Sequence, residues 1–196
     1  MNTKDQFEQV RKTCADAKLS AVNCELRQEL LDMVAKDQEM RKTIIGKYQP
    51  GQSLSPTEIG LIMTLDTTNT ARMKQIVGQY GWPGKTLVGE DGANAAWLLI
   101  QHADRDADFQ KLCLKLLTQA VANDEASAKN LAYLVDRVRV NEGQPQVFGT
   151  QLQWKDNRFI PNLIEDEANV NERRIKAGLT SLTEYIEMCS KKMGCK

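Results

Sequence analysis

The side chain best suited to proton transfer in this sequence is His102, the only histidine among 196 residues. An imidazole changes its charge near neutral pH and can therefore serve as a general acid or base. Asp104 follows two positions later, in the run Gln101-His102-Ala103-Asp104. Residues two apart do not face each other on a helix, so a pair between them requires the helix to end near Ala103. The alternative is structural, with the imidazole capping the carbonyl groups of that helix end.

Two aspartates interrupt helical faces that are otherwise apolar. Asp37 lies in a helix predicted at about 25–47, and Asp66 lies in the helical stretch from 56 to 80. A buried carboxylate without a partner is costly, so both must be paired, hydrated or exposed to a cavity. Asp37 and Arg41 are one helical turn apart and form a local ion pair in one interpretation. In the other, the inward polar groups of several helices line one pocket.

If the polar groups line one pocket, the sequence predicts a small hydrolase-like enzyme that acts on a polar or anionic substrate. His102 is its acid–base group, oriented by Asp104 or Asp136. The residues assigned to substrate binding are Asp37, Arg41, Gln101, Arg137 and Gln151. The alternative function is a non-catalytic ligand-binding or protein-interaction module, in which the same polar residues tie the helices together.

Other chemistries find little support in the sequence. No serine or cysteine lies in a recognisable nucleophile turn. Gly84-Lys85-Thr86 ends like a phosphate-binding loop, but position 79 is glutamine instead of the required glycine, and a helix precedes the loop. One histidine and no C-x-x-C spacing leave no metal site or cofactor to predict.

The overall charge and hydropathy exclude further classes of partner. The chain has 26 basic and 26 acidic residues and a formal net charge of zero, so no nucleic-acid partner is expected. No apolar run approaches the roughly 18–20 residues that cross a bilayer. A chain of this length buries about 70% of its unfolded surface as one domain. Its oligomeric state stays open.

The five cysteines bear on the compartment. Cys14 and Cys24 flank a short connection, Cys189 and Cys195 are six positions apart, and Cys113 lies on an apolar helix face. Two local disulfides and one buried thiol suit an oxidising compartment, so a periplasmic or secreted protein is one expectation. Five reduced cysteines in a cytoplasmic protein are the alternative.

The fold class predicted from these patterns is mainly α, a single multi-helix domain with one small hairpin. Residues 1–23 form a helical extension, 24–145 a helical core, 146–162 the hairpin region and 163–196 two last helices. The hairpin itself covers 146–160, with its turn at 155–157. A glycine-rich turn is predicted over 81–89. The helix after it is apolar nearly all round and should be central.

Several short motifs follow one another along the chain. They include Tyr80-Gly81-Trp82-Pro83, Gln101-His102-Ala103-Asp104, Asp136-Arg137, Phe148-Gly149-Thr150-Gln151 and Arg173-Arg174. This ordered set resembles a bacterial family of uncharacterised domains over roughly residues 25–185. In that family the fourth motif typically begins with tyrosine, so Phe148 departs from the pattern at a hydroxyl position. The resemblance implies locations for a site without implying a reaction. Many relatives look exported, which favours the cell envelope.

Overall fold

The computed structural model describes residues 22–48 and 51–192, and its first two helices begin where the sequence predicts. Helix α1 (Cys24–Ile45) is capped by Asn23, whose Oδ1 accepts a hydrogen bond from the backbone N–H of Leu26 at 3.0 Å. Helix α2 (Pro56–Tyr80) starts with a capping box between Ser55 and Glu58. Both caps are readable from the sequence, because Asn23 directly precedes α1 and Ser55 and Glu58 have the spacing of a capping box. Of the helical extension predicted at 1–23, all but residues 22 and 23 lie outside the described residues.

Helix α3 (Lys85–Gln101) lies at the centre of the domain. It packs most extensively against α1 and also contacts α2, α4 (Ala107–Ala122) and α5 (Ala128–Asn141). Its apolar side chains are buried on several sides, including Val88, Ala96 and Ile100, which have no exposed surface. The central position predicted from its composition is therefore confirmed.

The chain between α2 and α3 differs from the predicted turn over 81–89. Helix α3 already begins at Lys85, and only Gly89 leaves the helical conformation, with φ 73° and ψ 169°. That backbone conformation lies outside the regions open to residues with a side chain, so the glycine permits a kink where a turn is predicted. The carbonyl of Leu87, just before the kink, accepts a hydrogen bond from the Asn23 N–H.

The small sheet is shorter than the predicted hairpin. Strands β1 (Leu152–Lys155) and β2 (Arg158–Pro161) pair antiparallel, and the turn falls at 156–157 as predicted. The preceding segment, 146–151, is not a strand. Its Gly149 has a φ of +69°, which interrupts extended pairing. Backbone pairing is limited to the two ends of the segment, where Gln146 forms an isolated bridge with Ile164 and Gln151 accepts from the Asn162 N–H, and side chains hold the rest.

Two short helices complete the described chain. A 3₁₀ turn (Glu167–Asn169) leads into α6 (Val170–Lys176), and α7 (Leu182–Lys192) follows and contacts both α6 and β2. The seven α-helices and one two-stranded sheet of the described residues make this a single mainly α domain, as predicted. None of the helices among these residues is long and apolar enough to cross a membrane.

Three of the five cysteines fall within the described residues. Cys24 is disulfide-bonded. Cys113 is a buried free thiol and Cys189 a half-buried one. The local pair expected between Cys189 and Cys195 is therefore not formed. Cys14 and Cys195 themselves lie outside the described residues.

Candidate functional site

His102 lies at the C-terminal end of α3, where its backbone N–H bonds to the carbonyl of Leu99 at 3.2 Å. The helix therefore ends close to the position that the sequence prediction required. The ring Nδ1 lies 3.0 Å from Oδ2 and 3.2 Å from Oδ1 of Asp37 on α1. A carboxylate accepts hydrogen bonds, so the contact assigns the proton of the neutral imidazole to Nδ1. Packing of α1 against α3 creates this pair.

Asp37 is fully buried, as its position in the apolar stripe of α1 predicts. Gln38 Nε2 donates to it at 2.8 Å and Arg41 Nε at 3.1 Å. Burial alone would raise the pKa of Asp37. The hydrogen bond and charge of His102, supported by Gln38 and Arg41, outweigh burial and lower the pKa. Asp37 is therefore a carboxylate at neutral pH.

Arg41 also reaches Asp66 on α2, with its Nη2 bonded to Oδ1 of that carboxyl group. Burial raises the pKa of Asp66, although the charge and hydrogen bond of Arg41 act in the opposite direction. We refer to Asp37, Arg41, Asp66 and His102 as the His102 cluster. It contains two carboxyl groups whose environments shift their pKa values in opposite directions.

The His102 cluster also has the spacing of a cation site. Ligand atoms of Asp37, Asp66 and His102 all lie within 4.8 Å of one another, close enough to share one ion. The guanidinium of Arg41 is already bonded to both carboxyl groups. A metal ion would have to displace this side-chain cation from Asp37 and Asp66.

A cleft of about 430 Å³ opens beside the cluster, between α2 and the turn at 102–106. This size is typical of small-molecule sites. Its polar lining comprises Asp66, Thr67, Thr70, Lys74, His102, Arg105 and Asp106. Asp37 has no exposed surface, whereas the His102 side chain is 17% exposed. The wall of the cleft thus contains the imidazole of His102, and its Nδ1 is hydrogen-bonded to the buried carboxylate of Asp37.

Asp104 faces a different set of partners. Its carboxylate accepts two hydrogen bonds from the guanidinium of Arg137, including Nε to Oδ1 at 2.8 Å, and one from Asn141 Nδ2 at 3.0 Å. Arg137 Nη1 in turn donates to Gln151 Oε1 at 3.0 Å. Burial alone would raise the pKa of Asp104, but Arg137, Asn141 and Gln110 lower it. Asp104, Arg137 and Gln151 form what we call the Asp104 cluster.

Asp136 belongs to a third environment, because it holds the irregular segment 146–151. The carboxylate is fully buried and accepts hydrogen bonds from the backbone N–H groups of Val147 (2.7 Å), Phe148 (3.0 Å) and Thr150 (2.9 Å). The Thr150 hydroxyl is also 2.9 Å from it. All these donors are within one loop, so Asp136 acts as an anchor for that loop.

The carbonyl groups of the same loop are held from the opposite side. Arg173 Nε donates to the carbonyl of Val147 at 2.9 Å, and the fully buried Arg174 donates to that of Phe148 at 2.6 Å. Tyr185 Oη donates to the carbonyl of Thr150 at 2.9 Å. Burial lowers the pKa of Arg174, while the charge of Asp136 is among the effects that raise it. The loop is thus fixed through its backbone.

The eight residues assigned from the sequence therefore separate into groups. One group contains Asp37, Arg41 and His102. A second group contains Asp104, Arg137 and Gln151, and Asp136 is separate from both as the anchor of the 146–151 loop. Gln101 is buried, and its side chain has no hydrogen-bond partner among the described residues. Of these eight, only His102 lines the cleft. Within the described chain, Asp37 rather than Asp104 or Asp136 contacts the imidazole.

Five polar residues of the cleft had no role in the sequence prediction, namely Thr67, Thr70, Lys74, Arg105 and Asp106. Thr70 and Lys74 follow Asp66 by four and eight positions, so they share its helical face. Arg105 directly follows the Gln101-His102-Ala103-Asp104 motif. These spacings are visible in the sequence, but they do not distinguish a cleft wall from a solvated helix face.

The fold and these clusters define a mainly α domain with a polar cleft against its central helix. The chain belongs to DUF6624, a family of unknown function, whose model matches residues 24–196. The resemblance to a family of uncharacterised domains is confirmed at that level. No functionally curated protein and no solved structure matches the chain.

Proposed function

We propose that this domain is a small hydrolase-like enzyme in which His102 is the acid–base residue of the cleft. The observation that supports this function is the contact between Nδ1 of His102 and the buried carboxylate of Asp37. Because Nδ1 carries the proton, the lone pair of the neutral imidazole is on Nε2. In the described residues Nε2 has no hydrogen-bond partner, so it is available to a molecule in the cleft.

The chemistry follows from that arrangement. Nε2 accepts a proton from a water molecule as the water oxygen attacks the substrate, and the imidazole becomes an imidazolium. Asp37 stabilises this cation, because it remains ionised and stays bonded to Nδ1. The imidazolium then returns the proton from Nε2 to the leaving group. Asp37 thus takes the orienting role assigned from the sequence to Asp104 or Asp136.

The other two predicted catalytic residues have supporting positions in this proposal. Asp104 orients Arg137, and Arg137 holds Gln151 at the end of the loop. Asp136 sets the backbone of the loop itself. Neither contacts His102 in the described chain, so we assign them positioning roles.

A second candidate is a ligand-binding module without turnover. The observation in its favour is that Arg41 bonds to both Asp37 and Asp66, so that the charged groups of the cluster satisfy one another. In this case His102 and its partners tie α1, α2 and α3 together, and the cleft binds a small molecule without transforming it.

Hydrolysis assays with matched variants separate the two functions. The purified protein is offered p-nitrophenyl esters, phosphoesters and amino-acid anilides. His102→Asn retains an amide donor for Asp37 but has no titratable nitrogen, so we expect turnover to fall by about 10²–10⁴-fold. Asp37→Asn is expected to impair turnover as well. Asp32→Asn, at an exposed position of the same helix, is the control and should leave turnover unchanged.

Thermal unfolding of the same variants completes the test. The enzyme proposal expects His102→Asn to unfold within a few degrees of the unchanged protein while turnover is lost. Hydrolysis that persists in His102→Asn would overturn it. So would the lack of hydrolysis of every substrate class by the unchanged protein, which would leave the binding module.

A nuclear magnetic resonance measurement tests the proton assignment without any substrate. With one histidine in the chain, the two imidazole nitrogen signals belong to His102. We expect Nδ1 to be the protonated nitrogen of the neutral ring and this preference to weaken in Asp37→Asn. Protonation at Nε2 in the unchanged protein would contradict the mechanism.

A further inference from the structure

Arg105 stands out among the charged groups of the cleft because it has no acidic partner. Its guanidinium contacts the sulfur of Met63 at 3.3 Å, a weak acceptor, and it forms no ion pair within the described chain. The side chain is exposed and lines the cleft. A guanidinium in this position can donate hydrogen bonds to a planar or tetrahedral oxyanion without breaking an existing ion pair.

The acidic groups around the cleft are, by contrast, already paired. Asp66 is bonded to Arg41, and Asp106 is 2.6 Å from the ammonium of Lys74. Asp106 also accepts the Phe109 N–H as the cap of α4. Among the described residues these pairings leave Arg105 as the charged side chain of the cleft wall that has no direct ionic partner.

Thr70 supplies a second, independent feature. Three other threonines of α2, Thr64, Thr67 and Thr68, donate to the carbonyl four residues earlier, at 2.8–2.9 Å. The Thr70 hydroxyl makes no hydrogen bond within the described residues, although this residue is only 9% exposed and lines the cleft. A hydroxyl at the wall of a cleft that has no protein partner is free to donate a hydrogen bond to a molecule bound there.

We infer that the cleft binds an oxyanion, a carboxylate or a phosphate group, through the Arg105 guanidinium and the Thr70 hydroxyl. His102 shares the same cleft, so the anionic group is held beside the imidazole. The inference rests on the proposed function and defines its substrate class as a small molecule with an anionic group. The bound anionic group holds the substrate in place, and the bond that is cleaved lies next to Nε2 of His102.

The test is a binding titration with inorganic phosphate and, separately, with acetate, each at an ionic strength held constant with sodium chloride. Binding is read from amide chemical-shift changes of residues 66–74 and 102–106. Arg105→Gln removes the guanidinium, and Thr70→Val removes the hydroxyl at nearly constant shape. The controls are Arg158→Gln, an exposed arginine of β2, and Thr68→Val, an exposed threonine of α2.

We expect Arg105→Gln to weaken anion binding about tenfold or more, because one charge-assisted pair is lost. Thr70→Val should weaken it several-fold, and Arg105→Lys should be intermediate because it retains charge without the bidentate geometry. Both controls should bind as the unchanged protein does. Tighter binding of phosphate than of acetate assigns a phosphate ester as substrate, and the reverse assigns a carboxylate.

The subsite and the enzyme can fail separately. Binding that is the same in Arg105→Gln and Thr70→Val as in the controls, or an unchanged protein that binds neither anion, would overturn the subsite. Turnover that depends on His102 would still support the enzyme in that case. Anion binding that depends on Arg105, with no turnover of any substrate, would retain the subsite and overturn the enzyme.

Discussion

The carboxylate of Asp37 and the imidazole of His102 lie 3.0 Å apart although 65 positions separate them along the chain. One residue belongs to α1 and the other to the end of α3, the two helices with the most extensive packing in the domain. The geometry of the proposed acid–base pair therefore depends on the same interface that forms much of the core. Substitutions that change the packing between α1 and α3 should therefore also change the geometry of the Asp37–His102 pair at the cleft.

The two carboxyl groups of the His102 cluster should affect acid stability with opposite signs. The pKa of Asp37 is below its ordinary value of 3.8, so its stabilising contribution is present above pH 3.8 and is lost as the pH falls through the folded-state pKa. The pKa of Asp66 is above 3.8, so its contribution is present below pH 3.8 and is lost as the pH rises through the folded-state pKa.

Urea unfolding of Asp37→Asn and Asp66→Asn across about pH 6 to pH 2 measures these contributions. Below pH 3.8, Asp37→Asn should lose less stability on acidification than the unchanged protein. Above pH 3.8, Asp66→Asn should lose more stability than the unchanged protein as the pH falls. The reason is that the folded variant no longer gains stability by binding a proton at position 66. Parallel pH profiles for all three proteins would refute the assignment.

Asp136 should be among the residues most costly to replace. Asp136→Ala leaves three backbone N–H groups of the 146–151 loop without their acceptor and removes a negative charge near the buried Arg174. We expect the free energy of unfolding to fall by about 3–5 kcal/mol, the range for breaking a buried charged network. Glu187→Ala, at an exposed position of α7, should change it by about 0.5 kcal/mol or less. A similar small loss for Asp136→Ala would exclude the anchoring role.

Gly149 should not tolerate a side chain. Its φ is +69°, and an added Cβ would lie 2.9 Å from Leu182 Cδ1 and 3.0 Å from Ile164 Cδ1. Gly149→Ala is expected to cost more than about 1 kcal/mol in thermal or urea unfolding. Gly78→Ala is the matched control, because nothing lies within 4 Å of its added Cβ and the residue is helical. It should stabilise the protein by about 0.5–1 kcal/mol. Equal effects at the two glycines would contradict this prediction.

The two free thiols should differ in reactivity. Burial raises the pKa of Cys113 to about 12, so almost no thiolate is present at neutral pH. Cys189 is only half-buried. Alkylation of the native protein, mapped by mass spectrometry, should label Cys189 while Cys113 reacts only after denaturation. Native labelling of both at the same rate would show that the core around Cys113 opens.

Much of the fold could be predicted because the signals are local. The side chains of Asn23 and of Ser55 with Glu58 cap the helices that follow them within a few residues, so their roles are readable from spacing alone. The burial of Asp37 follows from the apolar stripe around it. The kink at Gly89 and the irregular 146–151 loop could not be predicted in this way. The loop is held by Asp136, Arg174 and Tyr185, which come from elements on both sides of it.

The sequence by itself determined the mainly α class, the central helix, the helix caps and the presence of one histidine beside acidic residues. Helical periodicity and capping depend on neighbours three or four positions away, so they can be read along the chain. Only the tertiary structure decided that Asp37 pairs with His102, that Asp104 pairs with Arg137, and that Thr70 and Arg105 share the cleft. Periodicity places a side chain on an inward face, whereas its partner there is chosen by how separate helices pack against one another.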